Sequence, residues 1–422
     1  MKEITTAEFE NEVLAGGKVV LDFYSTECPP CEALAPKFEG LAGLYGHKIK
    51  FVKMFRQQNK ALAEKLGVKS SPTLLFFDNG IQLPGMLSGG IKRSDIIHHL
   101  DNMLSTDDVN EITGKIKPVV TDFDVLILGA GPGGLTAGLY LCQSKINTVL
   151  IDIALPGGHV STTHEVSNYP GFIDPQPGYL LSHNMSEQTK LCGTSYKVAV
   201  DVTRVDLENK EVVIDEYETV RAKKIIIATG TSPNLMGVPG EKELKGRGIS
   251  YCATCDAKYY GEKEVVVIGG GNSAVEEADF ISKFASKITM VHQFDKLSAN
   301  KQAQEKLFAN PKISVLFETE PRGFKRDGDK MITEIENLKT GEKAEIVSDG
   351  VFVFIGMKPN IGLFKDKLEL DKWGYIKTDE DMRTSIPGIF AVGDVISKKY
   401  RQITTAVADG TIAAIVIAKE LD

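Results

Sequence analysis

Four of the six cysteines in this 422-residue chain stand in two C-x-x-C pairs, Cys28/Cys31 in "ECPPCE" and Cys252/Cys255 in "YCATCD". Two sulfurs at that spacing can ligate a metal, close a structural bridge or exchange a disulfide. Ribbon-type zinc sites set their two pairs roughly 15–20 residues apart, whereas these pairs lie in distant parts of the chain. Six cysteines are too sparse for a scaffold of permanent bridges. Redox exchange needs an exposed thiolate, a resolving thiol close by and a field that lowers the first pKa. "CPPC" meets these demands if Cys28 opens a helix, because its thiolate then faces the helix dipole and Cys31, one turn in, resolves the mixed disulfide. Glu27 beside it would raise the Cys28 pKa if its side chain pointed inward.

A second chemistry is written in glycine. Gly129, Gly131 and Gly134 form G-x-G-x-x-G after the apolar run "DVLIL" and before a helix-like stretch, with Asp152 closing the next strand at "TVLID". The spacing suits a carboxylate that holds a ribose hydroxyl, while the glycines let backbone approach a pyrophosphate at the helix N-terminus. Gly269, Gly271 and Ala274 repeat the device as G-x-G-x-x-A. The strand after it ends in "HQFDK", where His292, Gln293 and Phe294 supply neither the acid of an NAD site nor the arginine of an NADP site.

The elements that must carry these residues read as α/β throughout. Residues 1–106 alternate strand and helix, from "KVVLDFYS" to the Pro-preceded strand in "SSPTLLFFDNG". Residues 107–120 are polar, interrupted by Gly114 and Pro118, and read as a linker. Two doubly wound nucleotide-binding units follow. The formal net charge of -8 leaves no basic field for nucleic acid, and no run approaches the roughly 18 apolar residues of a membrane span. "MKEITTAEFENEV" lacks the basic and apolar run of a signal peptide, so the sequence reads as soluble and cytoplasmic. Cys142 and Cys192, 50 residues apart, read as separate packing or surface thiols, and His98, His99 and the sequon-like "NMS" at Asn184 as incidental.

From about residue 122 the chain resembles the low-molecular-weight, bacterial-type thioredoxin reductases, through "GAGPGGLTAGLY", "GGHVSTTHEVSNYPGF", "IIIATG", "SYCATCD", "GGGNSAVEEA", "TSIPGIFAVGDV" and "YRQITTAVADG". Residues 1 to about 104 resemble a thioredoxin domain, through "VLDFYSTECPPC" and "SSPTLLFF". The resemblance implies a split FAD domain, 121–236 with 353–422, and an inserted NAD(P)-type domain, 237–352, that carries "CATC". The flavin contacts it implies fall on Gly129, Gly131, Pro132, Gly134, Asp152, Gly158, His159, Asn168, Thr229, Gly393, Asp394, Arg401, Gln402 and Ile403. His159 departs from the family's usual Gln. The nicotinamide contacts fall on Gly269, Gly271, Asn272, Ala274, His292 and Gln293. NADPH-binding members carry His-Arg-Arg at 292–294, and without those arginines the 2′-phosphate goes unpaired, which favours NADH over NADPH and leaves room for ferredoxin as donor.

By the same resemblance Cys255 faces the flavin, Cys252 attacks the incoming disulfide, and Asp256 is the nearby acid. Asp22 becomes the buried proton acceptor for Cys31, and Pro72 a cis-proline beside Cys28/Cys31. The expectation is a homodimeric relay from NADH through FAD, Cys252/Cys255 and Cys28/Cys31 to protein disulfides, such as that of a peroxiredoxin. The rivals are a peroxiredoxin (hydroperoxide) reductase flavoprotein, a ferredoxin-dependent flavin reductase, and a binding module that holds no flavin.

Overall fold

A computed structural model describes residues 1–163, 166, 168–364 and 366–422, with the side chain of Cys255 outside the described set. Three cores organise the chain. In the first, Lys18–Tyr24 runs parallel to Lys50–Phe55 and antiparallel to Thr73–Asp78. Its burial is continuous from Val19 to Phe23, as expected of a central strand covered on both faces, and that places Asp22 inside. The helix Pro29–Tyr45 packs Leu34, Phe38 and Leu41 against this sheet.

The expected linker is mostly not a linker. Ser105 accepts from the amide of Asp108 and caps a helix, Thr106–Thr113, whose Ile112 is fully buried in the first core. Lys48 pairs with Asp108 at 2.6 Å across the same contact. A Ser-x-x-Asp start and one well-placed isoleucine suffice to dock a polar helix. The irregular join therefore spans residues 114–118 alone, because Val119–Leu128 already pairs with Glu218–Ile227.

The second core is a seven-stranded sheet. Val119–Leu128 lies between Glu218–Ile227 and Thr148–Asp152, and Ile389–Ala391 returns from far along the chain to pair with Glu218–Ile227. The third is an all-parallel five-stranded sheet, with Glu264–Ile268 between Gly350–Val353 and Lys287–Val291, beside a three-stranded antiparallel ribbon from Thr319 to Ser348. Each glycine turn thus leaves the carboxyl end of a central parallel strand, where such sheets bind their ligands. Among the described residues no helix is long and apolar enough to cross a membrane.

Candidate functional site: two glycine turns and two cysteine pairs

Cys28 is the N-cap of the helix Pro29–Tyr45, and its sulfur accepts from the Cys31 amide at 3.3 Å. The two are joined in a disulfide. A thiolate released at Cys28 would keep that amide and the positive end of the helix dipole. Pro72 follows a cis bond, and the Ser71 carbonyl lies 3.6 Å from the Cys28 sulfur. Glu27 is exposed, so its carboxylate points to water and not into the site. Asp22 is 7% exposed, and its Oδ1 has no hydrogen-bond partner. Burial pushes its carboxyl up to about 7 against the pull of Lys53, which faces it in register on the neighbouring strand.

At the first turn, Gly129 has φ +111°, and a Cβ there would stand 2.2 Å from the Ala228 carbonyl oxygen. A Cβ on Gly134 would meet the Gly129 oxygen at 2.0 Å, whereas around Gly131 nothing lies within 4 Å. Strand and helix are clamped together while the middle of the turn stays open for a ligand. Pro132 opens the helix Pro132–Gln143. Asp152 accepts from the Ala130 amide at 2.6 Å and the Ala154 amide at 2.8 Å, so it fixes the loop as well as facing it. Burial raises its carboxyl and these amides pull it back.

Of the flavin residues expected elsewhere in the chain, Gly158, Thr229 and Gly393 meet this turn. A Cβ on Gly158 would lie 3.1 Å from the Gly131 Cα, and one on Gly133 would lie 3.6 Å from the Gly393 Cα. His159 Nε2 lies 2.8 Å from the Thr231 carbonyl, and Thr229 donates to the Asn360 carbonyl at 2.7 Å. Asn168 donates to Gln402 at 3.1 Å, which ties the 158–168 segment to the start of the helix Ile403–Leu421. Arg401 stacks on Tyr375 at 3.9 Å and donates to the Asp394 and Ile396 carbonyls. Asp394 Oδ1 is buried without a hydrogen bond, with the Lys398 ammonium at 3.6 Å. A buried carboxylate oxygen that accepts no hydrogen bond, near an open glycine turn, fits a cofactor that brings hydroxyl donors.

The second turn repeats the geometry and changes its surroundings. Gly269 has φ +132°, and a Cβ there would meet the Phe354 carbonyl oxygen at 2.2 Å and the Ala274 methyl at 2.9 Å. Asn272 accepts from the Asn300 amide at 2.7 Å. His292 is buried, with its ring against Gly270, where an added Cβ would lie 2.4 Å away, and Nε2 is 3.0 Å from the Lys296 carbonyl. Phe294 and Phe317 pack edge-on to that ring, while Gln293 is exposed. No arginine occurs in the sequence between Arg247 and Arg322.

Cys252 precedes the one-turn helix Ala253–Asp256, with its amide on Ser250 Oγ at 3.1 Å. It is held in a disulfide, and its sulfur lies 3.9 Å from the Thr162 carbonyl. Thr162 ends the turn Gly158–Thr162 of the first unit, so Cys252 on the third core touches the second core's loop beside the glycine turn. The orientation expected of Cys255 lies outside the described residues. Asp256 is half-buried at the end of the same helix.

Two features escaped sequence reasoning. The first core leans on the second through Lys37, which donates to the carbonyls of Ile91, Val198 and Ala199, and through Lys92 with Asp201 at 2.7 Å. Arg93 stacks on Tyr217 at 4.6 Å, and Lys190 pairs with Glu32. Burial lowers Lys37 to about 8. The second feature is that Cys142 and Cys192 touch, which overturns their reading as separate thiols: Cys142 Sγ donates to the Cys192 carbonyl at 2.5 Å. No local pattern marks either contact, since both depend on how distant elements pack.

Residues 123–410 match the family model described as pyridine nucleotide-disulphide oxidoreductase, and residues 1–102 match that of thioredoxin. A thioredoxin reductase of Peptoclostridium acidaminophilum is 45% identical over 299 residues, 69% of this chain and 95% of that protein. A 34.2 kDa protein in a rubredoxin operon of Clostridium pasteurianum is 42% identical over 297 residues, 70% of this chain and 96% of its own. The crystal structure of thioredoxin reductase from Lactococcus lactis in its FR conformation is 40% identical, with a TM-score of 0.67, covering 70% of this chain and 98% of that one.

Proposed function

The chain belongs to the pyridine nucleotide-disulphide oxidoreductase family as a thioredoxin reductase with a thioredoxin domain of its own, and from that premise we propose that it carries electrons from NADH to protein disulfides through Cys252/Cys255 and then Cys28/Cys31. The observation that carries this reading is the Cys252 sulfur against the first nucleotide-binding unit, 3.9 Å from the Thr162 carbonyl. The family's FAD and pyridine nucleotide supply an electron pair to a disulfide. Gly129, Gly131, Pro132, Gly134 and Asp152 would hold the dinucleotide end of FAD. Gly158, His159, Asn168, Thr229, Gly393, Asp394, Arg401, Gln402 and Ile403 would hold the remainder, with Asp394 accepting from a hydroxyl.

In the exchange step the Cys252 thiolate attacks the Cys28 sulfur, a Cys252–Cys28 bond forms, and Cys31 leaves as thiolate. Asp22, which titrates near 7, hands that thiolate its proton. Cys255 then attacks Cys252 and releases Cys28 as thiolate, with Asp256 as its proton donor. The net change is one dithiol and one disulfide traded between the pairs, with no other reductant consumed. Thioredoxin-type disulfides are its substrates, a peroxiredoxin among them, and the enzyme works as a homodimer in the reducing cytoplasm.

NADH is favoured over NADPH because a 2′-phosphate would find no guanidinium at His292–Phe294. The missing arginines and the His292 ring against Gly270 also favour one second reading, reduced ferredoxin as donor. Anaerobic titration of the flavin absorbance with each donor tests both: NADH bleaches it much faster than NADPH. Bleaching by reduced ferredoxin and by neither nucleotide overturns the nicotinamide assignment in favour of the second reading.

A further inference from the structure

Outside both C-x-x-C pairs, two thiols come together that the relay does not use. Cys142 lies in the last turn of the helix Pro132–Gln143, and Cys192 ends the helix Gly178–Cys192. The helices pack closely because Gly138 leaves room: a Cβ there would press on Thr189 Cγ2 at 3.0 Å and Thr194 Cγ2 at 3.4 Å. Hydroxyls stitch the seam, with Thr189 donating to the Leu135 carbonyl and Thr194 to the Gly138 carbonyl, each at 3.0 Å. Cys192 Sγ lies 3.8 Å from the Leu139 carbonyl, while Cys142 Sγ donates to the Cys192 carbonyl and sits 3.4 Å from where a Cβ on Gly193 would be. Gly193 leaves that space empty, so Cys142 Sγ reaches the residue that carries the second sulfur. Both cysteines are free thiols and partly open to solvent.

We propose that Cys142 and Cys192 are a third redox pair, closed to a disulfide by low-molecular-weight disulfides and reopened by dithiols. The Cys192 thiolate attacks one sulfur of the small disulfide and expels its first half as thiolate. Cys142 then attacks the Cys192 sulfur of the mixed disulfide and expels the second half. The two protons lost by the protein end on the two small thiols. Burial, and then the neighbouring Cys192, push the Cys142 thiol up to about 11, so Cys142 is the proton-retaining resolver and Cys192 the attacker. The pair stands beside Lys190, which holds Glu32 of the thioredoxin domain, so the cross-link stiffens the helix end on which that domain rests.

The test uses the full chain, reduced, desalted and exposed to excess glutathione disulfide, then quenched in acid, alkylated in denaturant and mapped by mass spectrometry. The expected product joins the Cys142 and Cys192 peptides two hydrogens below their summed mass, is undone by dithiothreitol, and persists in Cys252→Ser. In wild type the melting temperature rises by several degrees on oxidation, since the bond closes a 50-residue separation, and this rise is missing in Cys192→Ser. Full alkylation of both cysteines while Cys28–Cys31 is recovered oxidised overturns the proposal. So does recovery of each cysteine as its own glutathione adduct, a result that leaves the relay untouched.

Discussion

The two glycine turns share a backbone and differ in what meets them. Gly129 and Gly269 hold the same left-handed conformation, each with its missing Cβ 2.2 Å from a carbonyl oxygen of an adjacent strand end. Above the first, Asp152 offers a carboxylate anchored by two amides, and Asp394 a buried oxygen without a hydrogen bond. Above the second, a buried histidine leans on Gly270, and the end of the next strand, His292–Phe294, carries no arginine. The turn makes a place for a pyrophosphate, whereas the end of the next strand decides which nucleotide can use it.

The strongest way to break the comparison is to put a methyl group at the same point of each turn. Gly129→Ala and Gly269→Ala each meet a left-handed φ and a carbonyl oxygen, which together cost more than about 3 kcal/mol unless the backbone shifts. In the first turn the expected outcome is purified protein with flavin content down more than tenfold. In the second the flavin stays and nucleotide-driven bleaching slows by about 100-fold. Flavin absorbance and stopped-flow bleaching read the two, and equal flavin loss in both variants would show that the turns do not divide the labour.

Next in size is a contrast between two buried acids. Asp152 has amides to hold its charge, while Asp22 has an oxygen with no partner and a carboxyl raised from 3.8 to about 7. Between those two values the folded chain binds a proton that the unfolded chain has lost, so stability falls as pH rises across the window and levels off above it. At about 1.4 kcal/mol per unit, Asp22 accounts for up to roughly 4 kcal/mol of that decline. Denaturant midpoints of Asp22→Asn at pH 5 and pH 8 should lie much closer together than those of wild type. An unchanged gap would mean that the carboxyl ionises at its ordinary pH.

What could be read beforehand follows from how local the cause is. Gly129, Gly131 and Gly134 were legible because their motif is written within six consecutive residues, although the Ala228 carbonyl that forbids a Cβ at Gly129 is distant in sequence, and Cys28 at a helix start because Pro-Pro follows it. The helix Thr106–Thr113 was hidden by its polarity, since Ile112 alone faces the core and its cap is one serine. Gln293 and Phe294 were visible as departures from arginine-bearing relatives, but the burial of His292 against Gly270 depends on the fold around Phe317. The contact of Cys142 with Cys192 depends on two helices crossing at Gly138, which no spacing announces.

The comparison is sharpened by installing what the second turn lacks. Gln293 and Phe294 are exposed, so arginines there need displace nothing buried. Each charge-assisted bond to a phosphate contributes about 1.5–3 kcal/mol. Gln293→Arg with Phe294→Arg should therefore raise kcat/KM for NADPH by about 10- to 100-fold and leave that for NADH within a few-fold. No gain for NADPH would place the obstacle in the His292 ring and not in the missing charge.

The smallest effect concerns which half the thioredoxin domain leans on. Lys37, Lys92, Ser94 and Glu32 reach Val198, Ala199, Asp201 and Lys190, all on the unit of the first turn, whereas Cys252 belongs to the second. The five joining residues, 114–118, span about 18 Å at full extension, so the domain can lift from this face and yet stay close. Lys92 and Asp201 are each about one third exposed, and such pairs contribute about 0.2–1 kcal/mol. If the docked pose keeps Cys28 from Cys252, Asp201→Asn should raise turnover with an external disulfide by about two- to fivefold at low salt, and added salt should bring wild type toward the variant. A fall in turnover instead would make this face the productive one, with the second unit moving toward the docked domain and not the domain toward it.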